Sequence, residues 1–168
     1  MTTVLAETRP ARSADAEGLA ALHEASWREA YRGLIPHRAL NAMIERRGPD
    51  WWRRAIDASS AILVLHYGDA LAGYATIGRN RTAALRAGGE IYELYLQPEF
   101  QGIGFGRLLF DEARAALASH RFEGLVVWAL EDNERAMGFY AAMGGTDVAS
   151  GAEAFDGKRL SKVAFLWS

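Results

Sequence analysis

Three alternate glycines, Gly102, Gly104 and Gly106, interrupt the stretch LQPEFQGIGFGRLLF between an apolar run and a pattern of helical spacing. Ordered glycine costs chain entropy, so such a cluster marks a turn too sharp for a side chain or a backbone that something approaches closely. A helix N-terminus exposes unpaired N–H groups and about half a unit of positive charge. A glycine turn leading into it lets a phosphate reach those groups, with Arg107 adding a charge beside them. The spacing is G-x-G-x-G, neither the G-x-G-x-x-G of a dinucleotide fold nor the G-x-x-x-x-G-K-[ST] of a nucleotide loop. Alone, the triplet is better explained by a turn that serves only close packing. Two carboxylates, Glu90 and Glu93, precede it on the same apolar run and are candidate bases. Residues three apart on a strand face opposite sides, so one of the two faces a ligand unless a bulge shifts the parity. The chain has no cysteine, its four histidines are isolated, and no G-x-S-x-G occurs. Thiolate, metal-ligand and hydrolase-elbow chemistry therefore have no candidate residues, and no metal is expected.

The elements that must position these residues can be read from periodicity and capping. Residues 4–9 suit a short first strand. Ser13 or Asp15 can cap a helix reaching Tyr31, with Leu19, Leu22, Ser26 and Trp27 at helical spacing. Pro36 opens a second helix to Glu45, and Pro49 a third over residues 51–58. Residues 61–67 and 70–79 form a hairpin around Gly68-Asp69, and residues 90–97 a longer strand stopped by Pro98. The loop between them, residues 79–89, is polar. From Phe105 the apolar positions follow the i, i+3, i+4 pattern of an amphipathic helix. Residues 125–130 read as a buried strand, Asp132 or Asn133 caps a short helix that ends at Gly144-Gly145, and strands follow near 147–150 and 160–167. The expected fold is α/β in the mixed, α+β sense: one domain over residues 1–168, with helices on both faces of a mixed sheet.

Downstream of Q-G-I-G-F-G, which fits Q/R-x-x-G-x-G/A, comes N-E-R-A-M-G-F-Y-A-A-M-G over residues 133–144. With these two motifs in order and spacing, the chain resembles the GNAT superfamily of acyl-CoA-dependent N-acetyltransferases, from the first strand to the C-terminus. The resemblance implies a mostly antiparallel sheet of about seven strands and acetyl-CoA as co-substrate. It implies that Leu94, Tyr95 and Leu96 offer backbone groups to pantetheine. Gln101, Gly102, Ile103, Gly104, Phe105, Gly106 and Arg107 would hold the pyrophosphate through their amides, and Asn133 would contact the pantetheine arm. Tyr140 would bind beside the thioester and protonate the departing thiolate. Gly145 departs from the family, whose members often carry an aromatic there. Ile103 stands where many relatives carry a basic residue.

Acyl transfer to an amine needs a neutral amine, a stabilised oxyanion and a proton for the thiolate. Glu90 stands eleven residues before Gln101, where several members of that family carry a base glutamate, so the resemblance favours it over Glu93 as base, acting through water. Trp27 and Tyr31 are candidate acceptor contacts, and the arginines of residues 79–86 would favour an acceptor bearing a carboxylate or phosphate. Trp51, Trp52, Arg53 and Arg54 are a candidate subunit contact in a homodimer. A net charge of −2 on 168 residues gives no reason to expect nucleic acid or a membrane as partner. No secretory signal pattern opens the chain, so a cytoplasmic protein is expected. The reading is an N-acetyltransferase acting on a primary amine of a small molecule or peptide; the alternatives are a non-catalytic acyl-CoA-binding module and a nucleotide-dependent enzyme.

Overall fold

The computed structural model describes residues 5–59 and 61–168. Seven strands form one sheet in the order β1-β2-β3-β4-β5-β7-β6. They are β1 (Ala6–Pro10), β2 (Ile62–Tyr67), β3 (Ala70–Arg79), β4 (Gly89–Leu96), β5 (Leu125–Leu130), β6 (Thr146–Phe155) and β7 (Lys158–Trp167). The helices are α1 (Ala16–Tyr31), α2 (His37–Arg46), α3 (Pro49–Ala58), α4 (Phe105–Ser119) and α5 (Glu134–Ala142). Every strand pairing is antiparallel except β4 with β5. This is the mixed α/β, mostly antiparallel architecture expected. Val4, assigned to the first strand by sequence, lies outside the described residues.

β2 shows why the sheet is covered on both sides. Its alternate residues Ile62 and Val64 pack with Leu19, Leu22 and Trp52 of α1 and α3. Leu63 and Leu65 pack with Leu109, Phe110 and Ala113 of α4. A strand buried on both faces reads as an unbroken apolar run, as ILVL does. A third cluster joins Trp27, Tyr31, Leu40 and Ile44 to Leu130 and Leu160.

Two boundaries depart from the sequence reading. Residues 13–15 form a single 3-10 turn, and the Asp15 carboxylate caps it by accepting from Arg12 N–H at 2.7 Å rather than capping α1. Arg9 lies on the same carboxylate at 2.7 Å and holds it below the usual carboxylate range. β6 runs to Phe155 instead of stopping near 150, because Asp156 (φ 49°) and Gly157 (φ 84°) supply the two left-handed residues of a tight hairpin. Residues 149–155, ASGAEAF, contain no β-branched residue to mark the longer strand, although F-D-G-K carries the turn signature.

Two features of β4 position the site. Its register against β3 slips between Thr76 and Ile77, which leaves Tyr92 opposite no residue: a bulge. Against β5 it is paired only through Gly89, Glu90 and Ile91, opposite Leu125, Val126 and Val127. Beyond Ile91 the two strands part.

Candidate active site

A cleft of about 1030 Å³ opens where β4 leaves β5. Leu94, Tyr95 and Leu96 form one wall, the turn from Gln101 to Arg107 one end, and Asn133, Ala136, Phe139 and Tyr140 of α5 the facing wall. Ser26, Glu29, Ala30, Arg32 and Leu34 close the remaining side. Most of the expected cofactor residues are therefore brought together. Ile103 and Phe105 do not line the cleft: the Ile103 side chain is 60% exposed, and Phe105 packs against Phe100 and Tyr67.

The three glycines divide into two roles. Gly102 and Gly104 have φ of 77° and 92°, which L side chains adopt at a cost, and a Cβ at either would meet no atom within 4 Å. Gly104 is the N-cap of α4 and provides no side-chain cap. The first intrahelical bond to its carbonyl comes from Leu108 at 3.2 Å, so the N–H groups of Phe105, Gly106 and Arg107 have no helical partners. Gly106 is different: a Cβ there would lie 3.2 Å from the Phe139 ring. It is a packing glycine that lets α4 meet α5.

Asn133 caps α5, its Oδ1 accepting from Ala136 N–H at 3.3 Å. This places Tyr140, two turns on, against the sheet. The Tyr140 ring packs with Phe139, Phe110, Phe165 and Trp167. Among the described residues no group hydrogen-bonds to its hydroxyl, which belongs to the cleft wall. Burial, with nearby Tyr31 adding, holds this phenol well above its ordinary pKa. It is a protonated donor at any physiological pH.

The bulge at Tyr92 changes the parity of β4. Ile91, Leu94 and Leu96 face the α4 side, so Glu90, Glu93 and Tyr95 share the opposite face. Neither glutamate lines the cleft. Glu90 is 1% exposed, and Arg81 donates to it from its backbone N–H at 3.0 Å and its guanidinium at 2.7 Å. Glu93 accepts from Arg47 at 2.5 and 2.6 Å and from the Tyr74 hydroxyl at 3.3 Å. The two carboxylates reach different surroundings. Glu93 raises the proton affinity of Tyr31, Tyr74 and Tyr95, after burial has raised it first, while Glu90 acts on Tyr92. Of these four tyrosines, only Tyr95 lines the cleft.

Trp27 and Tyr31 sit in the core beneath the cleft rather than in its lining. Trp27 Nε1 donates to the Tyr74 hydroxyl at 3.1 Å, and the Tyr31 and Tyr95 hydroxyls are hydrogen-bonded to each other. Burial pushes Tyr31 up to about 12. The arginines of residues 79–86 line no part of the cleft: Arg81 is held by Glu90, and Arg79 lies over Phe122. Trp52 is fully buried, Trp51 lies 4.5 Å from the Arg47 guanidinium, and Arg53 pairs with Asp50 and Glu17. Sequence reading gave Ser26 no role at the site and missed Glu29 and Ala30, which stand three and four residues beyond it on α1. It also missed Arg47, whose partner lies 46 residues away.

Comparison with known proteins gives the following. The model of the acetyltransferase (GNAT) family matches residues 17–144. An uncharacterized N-acetyltransferase of Bacillus subtilis, YuaI, is 30% identical over 159 residues, covering 95% of this chain and 91% of that protein. The PaiA N-acetyltransferase of Thermoplasma acidophilum, solved in complex with coenzyme A, superposes with a TM-score of 0.75 at 21% identity, covering 95% of this chain and 98% of its own. The yncA protein of Salmonella typhimurium, a putative acetyltransferase solved with acetyl-CoA, gives 0.67 at 18% identity, covering 96% and 92%.

Proposed function

The chain belongs to the acetyltransferase (GNAT) family, and from that premise we propose that it transfers an acetyl group from acetyl-CoA directly to a primary amine. The observation that carries the reading is the unpaired Tyr140 hydroxyl on the wall of the cleft that also ends at the bare amides of the Gly102–Gly104 turn. The pyrophosphate of acetyl-CoA suits those amides, and the pantetheine arm suits the unpaired edge of β4 at residues 94–96. Relatives of this fold have been solved with coenzyme A and acetyl-CoA, which supports the assignment of the ligand.

The reaction balances without a further reactant. The amine nitrogen attacks the thioester carbonyl, and a C–N bond forms as the carbonyl oxygen takes negative charge. A backbone N–H near Leu96 stabilises that oxyanion. The intermediate collapses, the C–S bond breaks, and Tyr140 gives its proton to the sulfur. The amine loses its extra proton to water, and Tyr140 recovers one from water. Neither Glu90 nor Glu93 lines the cleft and each is paired with an arginine, so water rather than a carboxylate takes this proton.

Two measurements test the reading. Titration with coenzyme A must show binding; no binding rejects the proposal. Tyr140→Phe must lower kcat about 100-fold with acetyl-CoA affinity retained, the effect of removing one general acid. Unchanged turnover removes Tyr140 from the chemistry. Coenzyme A binding with no turnover on any amine makes the chain a binding module instead.

A further inference from the structure

A second cavity, of about 270 Å³, adjoins the cleft. It lies between the α1–α2 turn and the start of β7, and Arg32 and Leu34 line both spaces. Arg28, Arg32, His37 and Lys158 face it and no acidic residue does. Lys158 is held at its rim, its Nζ donating to the Leu34 carbonyl at 3.2 Å. Arg28 is fixed by Asn41 at 2.9 Å and partly neutralised by Glu24 at 3.0 Å. Among the described residues neither Arg32 nor Lys158 has an acidic partner. Three formal cations, of which one is offset by a carboxylate, thus line a concave space with no counter-ion of its own. Each would gain from an oxyanion, and more so in a recess than on an open surface.

We propose that this cavity seats an acidic group of the acceptor, so that the enzyme acetylates primary amines that also carry a carboxylate or a phosphate. The proposal rests on the acetyltransferase reading above and names its substrate class. The shared lining by Arg32 and Leu34 is what makes the cavity an acceptor site: a ligand seated there by its acid can extend its amine past these two residues into the cleft. It also moves acid recognition away from the arginines of residues 79–86, which line neither space.

The test uses matched pairs of primary amines, each differing in one group: carboxylate against carboxamide, and phosphate monoester against hydroxyl. Thiol release from acetyl-CoA is followed for the wild-type protein and for Lys158→Gln and Lys158→Arg. The acidic member of at least one pair is expected to have about tenfold higher kcat/KM, in the manner of a single well-placed ionic contact. Lys158→Gln should remove most of that advantage through KM and be rescued by Lys158→Arg. The pair that shows the advantage identifies the acid. Equal rates within both pairs, or an advantage that survives Lys158→Gln, overturns the proposal while neutral-amine turnover leaves the acetyltransferase reading standing. No turnover of any member by a protein that binds coenzyme A overturns both.

Discussion

His23 lies buried among Trp27, Trp52 and Tyr74, and among the described residues neither of its ring nitrogens has a hydrogen-bond partner. Loss of solvation, and then the charge of Arg47, lowers its pKa from 6.5 to about 3. The unfolded chain therefore takes up a proton near pH 6.5 that the folded chain refuses until about pH 3. This group's contribution is complete above pH 6.5 and is lost as the pH falls between those two values, with a limiting slope of ~1.4 kcal/mol per pH unit. Urea unfolding of His23→Leu at pH 7 and pH 5 should show that slope removed; an identical pH dependence in the variant rejects the account. The glycine turn gives a second test at this scale. Gly104→Ala places a Cβ at φ 92° with nothing to strike, so its cost is backbone strain of about 1–2 kcal/mol and a weaker hold on coenzyme A. Gly106→Ala acts through the Phe139 ring instead and should leave the turn itself intact. Denaturation and coenzyme A titration of the two variants separate these roles.

At the scale of elements, the junction between α5 and β6 shows what a departure from a family pattern can mean. A Cβ on Gly145 would lie 2.6 Å from the Trp167 ring and 3.0 Å from the Tyr140 carbonyl. Trp167, whose Nε1 donates to the Met143 carbonyl at 3.0 Å, already occupies that space from β7. The glycine does not loosen the packing; it admits an aromatic from another strand. Gly145→Ala should cost about 1–3 kcal/mol by displacing Trp167, measured as a lower urea midpoint. The Gly102–Gly104 turn, α4 and the Asn133 cap were legible in the sequence because each depends on residues within a few positions of one another. The Tyr92 bulge was not, since a bulge is a mismatch between two strands and neither strand spells it alone. For the same reason the faces of Glu90 and Glu93 could not be fixed from β4. Asp15 was read as a helix cap because its competitor, Arg9, becomes its neighbour only once β1 precedes the turn.

Across the whole molecule, one ion pair joins the helical layer to the sheet. Arg47, just past the end of α2, reaches Glu93 of β4 at 2.5 Å while its guanidinium stacks on Trp51 of α3. Glu93 is 10% exposed, so removing the cation leaves a nearly buried carboxylate alone. Arg47→Ala should destabilise the protein by about 3 kcal/mol, and adding Glu93→Gln should recover part of that loss. A double-mutant cycle by chemical denaturation with no recovery rejects this. The same scale holds the consequence of the parting strands. Strands β1–β4 and β5–β7 are stitched through three residue pairs, and past Ile91 no backbone bond among the described residues crosses the seam. A ligand lying in that seam completes the sheet and acts as a tie between its halves. Saturating coenzyme A at about 100 times its Kd would add ~2.7 kcal/mol of cohesion. The added protection from amide exchange should be concentrated at residues 94–96, so that the empty protein breathes along this line and the loaded one does not.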